Sequence, residues 1–326
     1  MKRVLSLFII LTITLSVFGG CAFLPDEIKI CTVNFYVDNE LYDTKTGFIG
    51  QSISMSSAPQ KENLIFMGWY SNGLLGHEFD SSSTLTGNVD LHAYYIIDAI
   101  SLTDMLMQET IKSIVSIENK SYNVMSGSSV EGNFQISQGS GVVIDISGGY
   151  CYVLTNNHVV EKAEGLSNQA FTVEDPWGNK YDAQIYKNPS KSYYAMSEEH
   201  DLALLYFKYS PTKSITLEEV QIAESSPKQN NYVAALGTPD GLQNAISYGT
   251  VLAYQPINAD ENSSLNNLKF DVLIHDAYLN HGSSGGALVN MSGELVGINF
   301  AGYNQGMYGC AIPIDKVLEF MDLYVY

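Results

Sequence analysis

The 326-residue chain carries 35 acidic against 16 basic side chains, a formal net charge of −19. That balance excludes a nucleic-acid partner, whose phosphates call for an excess of Lys and Arg, and it disfavours electrostatic adsorption to anionic lipid. A hydrophobic content of 45% is ample for a packed core, and the length suits two domains, or one large two-barrel domain plus a smaller module.

The chain opens on Lys2-Arg3, an apolar run from Val4 to Phe18, and Gly19-Gly20-Cys21. A basic start, a short apolar core and small residues at the end describe a signal peptide over residues 1–20, too short to span a bilayer comfortably. Small residues directly before a cysteine resemble a bacterial lipobox. On that resemblance Cys21 is the lipidated first residue of the mature chain, carrying palmitate-type acyl groups and followed by a linker over 21–27. The protein is then extracytoplasmic and lipid-anchored to the bacterial cell membrane, with plain secretion as the alternative. Without Cys21, three cysteines remain (Cys31, Cys151 and Cys310), and they are expected as buried, unpaired thiols. No H-E-x-x-H or C-x-x-C spacing occurs, so no metal and no cofactor is expected.

Residues 28–97 have a rhythm of short strands and turns. Thr32 to Val37 alternates apolar and polar residues before a turn at Asp38-Asn39-Glu40. Ile65 to Tyr70 and Val89 to Tyr95 follow as further strands, with a turn at Ser71-Asn72-Gly73. Gly68-Trp69-Tyr70, Phe79-Asp80 and Leu91-His92-Ala93-Tyr94 resemble the internalin-type B repeat (the Listeria–Bacteroides repeat), which implies a small β-grasp-like module of bacterial surface proteins. Trp69 is expected in its core. The partner of this module is unknown.

Ser101-Leu102-Thr103-Asp104 has the pattern of a helix N-cap with an acid at the third position, opening a helix from about Leu102 to Lys112. Strands are expected at Ile114 to Ile117, Gly141 to Ile144, Tyr152 to Leu154 and Ala203 to Tyr206, forming a first barrel over about 112–210. A second barrel, about 215–313, is expected from Tyr232 to Leu236, Ile246 to Tyr254, Phe270 to Ile274, Gly286 to Val289, Leu295 to Phe300 and Gly309 to Ile312. Apolar residues at Ile314, Val317, Leu318 and Met321 then recur with a helical period, predicting a helix over 314–324.

Three positions in this frame carry chemistry. His158 closes the apolar run Cys151 to Val160, Asp201 opens the apolar run Leu202 to Tyr206, and Ser284 lies in Gly282-Ser283-Ser284-Gly285-Gly286. A serine hydroxyl needs a base to become a nucleophile, and its oxyanion needs donors, which the N–H groups of a tight turn supply. Each residue alone has an ordinary structural explanation, as a core histidine, a turn aspartate and a turn serine. Their chain order, His, Asp, Ser, is one of the known orders of the catalytic triad. An esterase of the α/β-hydrolase type would show the order Ser, Asp, His instead.

The segments Gln138 to Ile144, Thr155 to Val160, Asp201 to Leu205, Leu236 to Leu242, His275 to Asn280, Gly282 to Gly286, Gly297 to Asn299 and Ala311 to Pro313 resemble the HtrA/Deg branch of trypsin-like serine proteases. The resemblance runs from about Thr103 to the C-terminus. It implies a mostly β, chymotrypsin-like fold of two six-stranded antiparallel β-barrels with a C-terminal helix, occupying residues 98–326 after the repeat module. It also implies a serine endopeptidase acting on protein or peptide substrates, in quality control or processing. In it His158 is the base, Asp201 the orienting acid and Ser284 the nucleophile, with the N–H groups of Gly282, Ser283 and Ser284 as the oxyanion hole. The specificity pocket is expected from Tyr278, Leu279, Asn299, Phe300 and Ala301, and without an acidic residue at Tyr278 a small-to-medium apolar P1 residue is expected. Where the family carries Asn and Pro, this chain has Ser283 and His281. An uncharged Ser283 cannot grip a new N-terminus, so zymogen activation of the digestive type is not expected. No PDZ domain is expected after the protease region. The alternative is a surface adhesion protein that works through the repeat module and keeps a vestigial protease.

Overall fold

The computed structural model describes residues 29–71, 76–124, 131–210, 216–257, 267–303 and 308–326. The signal peptide, Cys21 and the linker expected at the N-terminus lie outside them. The chain divides into two compact units. One takes in the described residues up to Ala58 and Met67–Tyr94, and the other comprises Pro59–Phe66 and Tyr95–Tyr326.

The first sheet contains β1 (Ile30–Val37), β2 (Glu40–Phe48), β3 (Leu64–Ser71), β4 (Glu78–Phe79) and β5 (Val89–Ile97), in the order β2-β1-β5-β3-β4. Alternation in β1 buries Cys31, Val33 and Phe35. Asp38 and Asn39 both take positive φ (52° and 65°), the backbone that a tight hairpin between right-twisted strands requires. The turn read at 38–40 is therefore a two-residue hairpin into β2, a strand that its polar, largely exposed residues hid. Trp69 is in the core: it meets Phe35 edge-on at 4.8 Å and its Nε1–H donates to Ser56 O at 2.8 Å.

Helix α1 spans Ala99–Gln108 and runs through Glu109 into a short 3-10 turn at Thr110–Ser113. Its N-cap is Asp98, not Ser101. The Asp98 carboxylate accepts from Ser101 N–H at 3.2 Å, and so the cap lies three residues before the expected one.

Two barrels follow. The first is built from β6 (Ile114–Val124), β7 (Glu131–Ser147), β8 (Tyr150–Thr155), β9 (Asn168–Glu174), β10 (Lys180–Ile185), β11 (Met196–Ser197) and β12 (Leu202–Lys208). The order β10-β9-β6-β7-β8-β12-β11 closes through β10–β12 pairing, so six strands form the ring and the two-residue β11 hangs from β12. The second joins β13 (Tyr232–Gly237), β14 (Ala245–Gln255), β15 (Val272–His275), β16 (Ala287–Val289), β17 (Leu295–Tyr303) and β18 (Tyr308–Pro313) in the closed order β13-β14-β15-β18-β17-β16. A short α2 (Asn157–Val160) and a C-terminal α3 (Ile314–Tyr324) complete the chain.

The strands beside the site bury both faces. In β12, Ala203, Leu205 and Phe207 fill the first barrel, whereas Leu202 and Leu204 point into a layer shared with the second. In β13, Val233 and Ala235 face inward, and Ala234 and Leu236 meet the same shared layer. Such strands read as unbroken apolar runs. Leu102 and Leu106 of α1, with Val317 and Phe320 of α3, cover that layer's remaining surface.

Beneath the second barrel's loops, His275 is fully buried and its Nε2 lies 3.2 Å from Asn299 Oδ1. Burial pushes its pKa down to about 4, so it is neutral at physiological pH. Its partner across the β15–β18 ladder is Gly309, where any Cβ would overlap the imidazole. Gly309→Ala is expected to cost about 1–3 kcal/mol by overpacking, read as a lower urea midpoint with an unchanged m-value.

Candidate active site

The apolar run of β8 delivers the chain to Asn156, after which α2 turns His158 back toward β12. Asp201 sits at the mouth of β12 with φ +49°, a left-handed conformation that Asp and Asn tolerate better than other side chains. It is 5% exposed, so its charge requires compensation. Three donors meet the residue: His158 N–H reaches Oδ1 at 3.0 Å, His158 Nδ1–H reaches Oδ2 at 2.8 Å, and the Asn156 side-chain amide reaches the carbonyl at 3.0 Å. A carboxylate only accepts, so the ring proton is held on Nδ1 and Nε2 is left with its lone pair.

Two opposing influences act on His158. Burial disfavours the imidazolium, but the hydrogen bond to Asp201, the charge of Asp201 and the more distant Glu161 outweigh it, and the pKa stands above its ordinary 6.5.

Ser284 lies between β15 and β16 on a loop that begins with the Asn280–Ser283 turn. Ser283 N–H donates to Asn280 O at 2.9 Å, and Asn280 N–H donates to Ser283 Oγ at 3.1 Å. Gly282 has φ +91° and Gly285 φ +84°, backbone that only glycine adopts freely. Gly285 also lies against Ser140 O and Thr155 Oγ1, leaving no room for a Cβ. Of the three N–H groups expected to form an oxyanion hole, that of Ser283 is committed to the turn. Among the described residues, no acceptor takes those of Gly282 and Ser284.

The Ser284 hydroxyl donates to Phe300 O at 3.1 Å, and among the described residues no hydrogen bond joins it to His158. The expected pocket residues divide. Tyr278 is exposed, and Leu279 and Ala301 are half-buried. Asn299 and Phe300 bury their side chains: the Asn299 amide donates to Ala287 O at 2.8 Å and its Oδ1 faces His275, while Phe300 packs in the shared layer. They face the loop only through backbone, with Gly285 N–H donating to Asn299 O at 2.7 Å and Asn299 N–H to Gly286 O at 2.9 Å. His281 is exposed, its N–H donating to Asn280 Oδ1 at 2.9 Å.

Ser140 on β7 was legible only as part of the Gly139-Ser140-Gly141 run, with no role attached. In the fold it is fully buried beside the loop, and its N–H donates to Ser284 O at 2.7 Å.

Residues 139–298 match the model of the trypsin-like peptidase domain. The chain is 38% identical over 186 residues to the periplasmic serine endoprotease DegP of Salmonella typhimurium, covering 55% of this chain and 34% of that protein. It is 34% identical over 189 residues to the serine protease HTRA1 of Xenopus laevis, covering 57% and 36%. It thus spans about a third of the length of these curated relatives. Among solved structures, the active form of the Rv3671c protease from M. tuberculosis superposes with a TM-score of 0.50 at 19% identity, over 68% of this chain and 84% of that one, a likeness of fold.

If Nε2 of neutral His158 is the base, kcat/KM rises with pH through a midpoint above 6.5, because the Asp201 partnership raises the proton affinity that must be overcome. Asp201→Asn, which keeps the left-handed backbone, is expected to lower that midpoint and cut kcat by about 10⁴-fold. The sign for folding is opposite. A raised native pKa makes protonated His158 stabilising below pH 6.5, and that contribution fades as pH climbs through the native value. A pH series of peptide hydrolysis beside urea melts reads both.

Proposed function

We propose that the chain is a serine endopeptidase that cleaves protein substrates through an acyl-enzyme on Ser284. The observation that carries this reading is the His158–Asp201 pair, with Nδ1 bound to a buried carboxylate at 2.8 Å and Nε2 without a partner among the described residues, in a chain whose residues 139–298 match a peptidase-domain model.

In this reading the Ser284 hydroxyl exchanges Phe300 O for His158 Nε2 by side-chain rotation. His158 takes the proton as Oγ attacks the scissile carbonyl, and later returns it to the leaving amine. Asp201 holds the tautomer and stabilises the imidazolium. The oxyanion is received by the N–H groups of Gly282 and Ser284, each such donor being worth about 3–4 kcal/mol in the transition state. Vacating Phe300 O also frees an acceptor for the substrate backbone beside the scissile bond.

The loop closes on itself through the paired Asn280–Ser283 hydrogen bonds, which supports a site assembled without zymogen cleavage. Tyr278, Leu279 and Ala301 are themselves uncharged, in keeping with a small-to-medium apolar P1 residue. The relatives named periplasmic, together with the N-terminal basic-apolar segment, support an extracytoplasmic enzyme, and Cys21 a lipid anchor. The sheet over residues 28–97 is read as a surface-type repeat module.

A fluorophosphonate probe is expected to label the wild-type protein and not Ser284→Ala. Cleavage of an unstructured protein is expected to fall by about 10⁴–10⁶-fold in that variant. Labelling that ignores Ser284→Ala sinks the proposal and favours an adhesion protein with a vestigial barrel pair. A library profile demanding Arg or Lys at P1 refutes the specificity assignment alone.

A further inference from the structure

We infer that Ser140 is a positioning residue for the oxyanion hole, its hydroxyl fixing the peptide plane between Gly282 and Ser283. This rests on the reading of Ser284 as nucleophile and adds to it a residue of the opposite barrel.

A hydroxyl has one proton to give and two lone pairs to fill. Ser140 Oγ lies 2.6 Å from Gly282 O, 2.8 Å from Thr238 N and 3.0 Å from Thr238 Oγ1. The Thr238 N–H can only donate, and Gly282 O can only accept. The Ser140 proton is therefore committed to Gly282 O, and the Thr238 hydroxyl, which also lies 3.3 Å from Gly139 O, sits beside the remaining lone pair. The group is fully buried, so no water competes for these positions.

The consequence falls on one peptide unit. Its carbonyl, Gly282 O, is held by Ser140, and its N–H, on Ser283, is held by Asn280 O at 2.9 Å. Pinning both ends of that plane sets the torsions on either side, those of Gly282 and of Ser283. These torsions in turn aim the two flanking N–H groups, Gly282 and Ser284, that lack acceptors among the described residues. Gly282 particularly needs such a restraint, because at φ +91° a glycine has several backbone basins within reach. The backbone of Ser140 acts alongside, its N–H on Ser284 O, so one residue of β7 grips the loop on both sides of Ser283. Thr238 opens the short 3-10 turn after β13, and its side chain and N–H orient the Ser140 hydroxyl, with no hydrogen bond from Thr238 to the loop among the described residues.

Ser140→Ala keeps the backbone grip and removes only the hydroxyl. The expected result is a 10- to 100-fold fall in kcat, KM within twofold of wild type, and an equal weakening of a peptide aldehyde, whose tetrahedral adduct uses the hole. Affinity for an uncleaved peptide, measured in the Ser284→Ala background, should not change. Ser140→Thr, which restores a hydroxyl, should recover part of kcat. Wild-type kcat in folded Ser140→Ala overturns the inference, as does a parallel loss of kcat and ground-state peptide binding. If Ser140→Ala does not fold, Thr238→Val and Ser140→Cys carry the test: a smaller kcat loss with unchanged KM is expected, and full wild-type kcat in both overturns it. Ser284→Ala separates the two claims. If it remains active, the nucleophile has been misassigned; if it is inactive while Ser140→Ala is unimpaired, only the role of Ser140 fails.

Discussion

Two hydrogen bonds from Ser140 on β7, its N–H to Ser284 O and its hydroxyl to Gly282 O, join the barrel that holds the histidine to the loop that holds the serine. The histidine and aspartate are placed by β8, α2 and β12, and the serine by the span from β15 to β16. Neither barrel contains a site by itself. The relative position of His158 and Ser284 therefore depends on the shared apolar layer and on this polar contact at its rim. The glycine at 285 follows from it: the loop must approach so closely that Ser140 O and Thr155 Oγ1 occupy the space of a Cβ.

A second constraint lies under the loop. Asn299 accepts from Gly285 N–H and donates to Gly286 O through its backbone, while its side chain bridges Ala287 O and His275. The Ser284 turn is thus hydrogen-bonded to the first barrel at Ser140 and to its own barrel at Asn299. The turn itself closes through Asn280 and Ser283. Ser283 closes it locally with its neutral hydroxyl and its N–H. His281 takes little part beyond its N–H and stays at the surface.

The sequence made the centre of this arrangement readable and its supports opaque. Strands β8, β12 and β13 are unbroken apolar runs because both of their faces are buried, and such runs stand out against polar flanks. The chemistry-bearing residues stand at the ends of such runs or within glycines, which is why His158, Asp201 and Ser284 could be singled out. β2 and β9 escaped notice: β2 is largely exposed, and Asn168–Glu174 mixes its apolar positions with Gln and Thr, so neither offers a clear apolar pattern. The helix start was misplaced because Ser101 and Asp98 are both good caps, and only the carboxylate's reach to Ser101 N–H decides between them. Asn299 and Phe300 looked like pocket walls by position, yet they face the core. Ser140 and Thr238 act across some 100 to 140 residues of chain, and no local pattern carries that information.

The most direct test of the account is to trap the covalent intermediate. The protein is mixed with an activated ester of a short apolar acyl group, quenched in acid within the burst, and its peptides are mapped by mass spectrometry. The account predicts a single acyl adduct on the peptide containing Ser284, absent from His158→Ala at the same quench time. An adduct on another residue, or one that forms on Ser284 equally fast without His158, would contradict it.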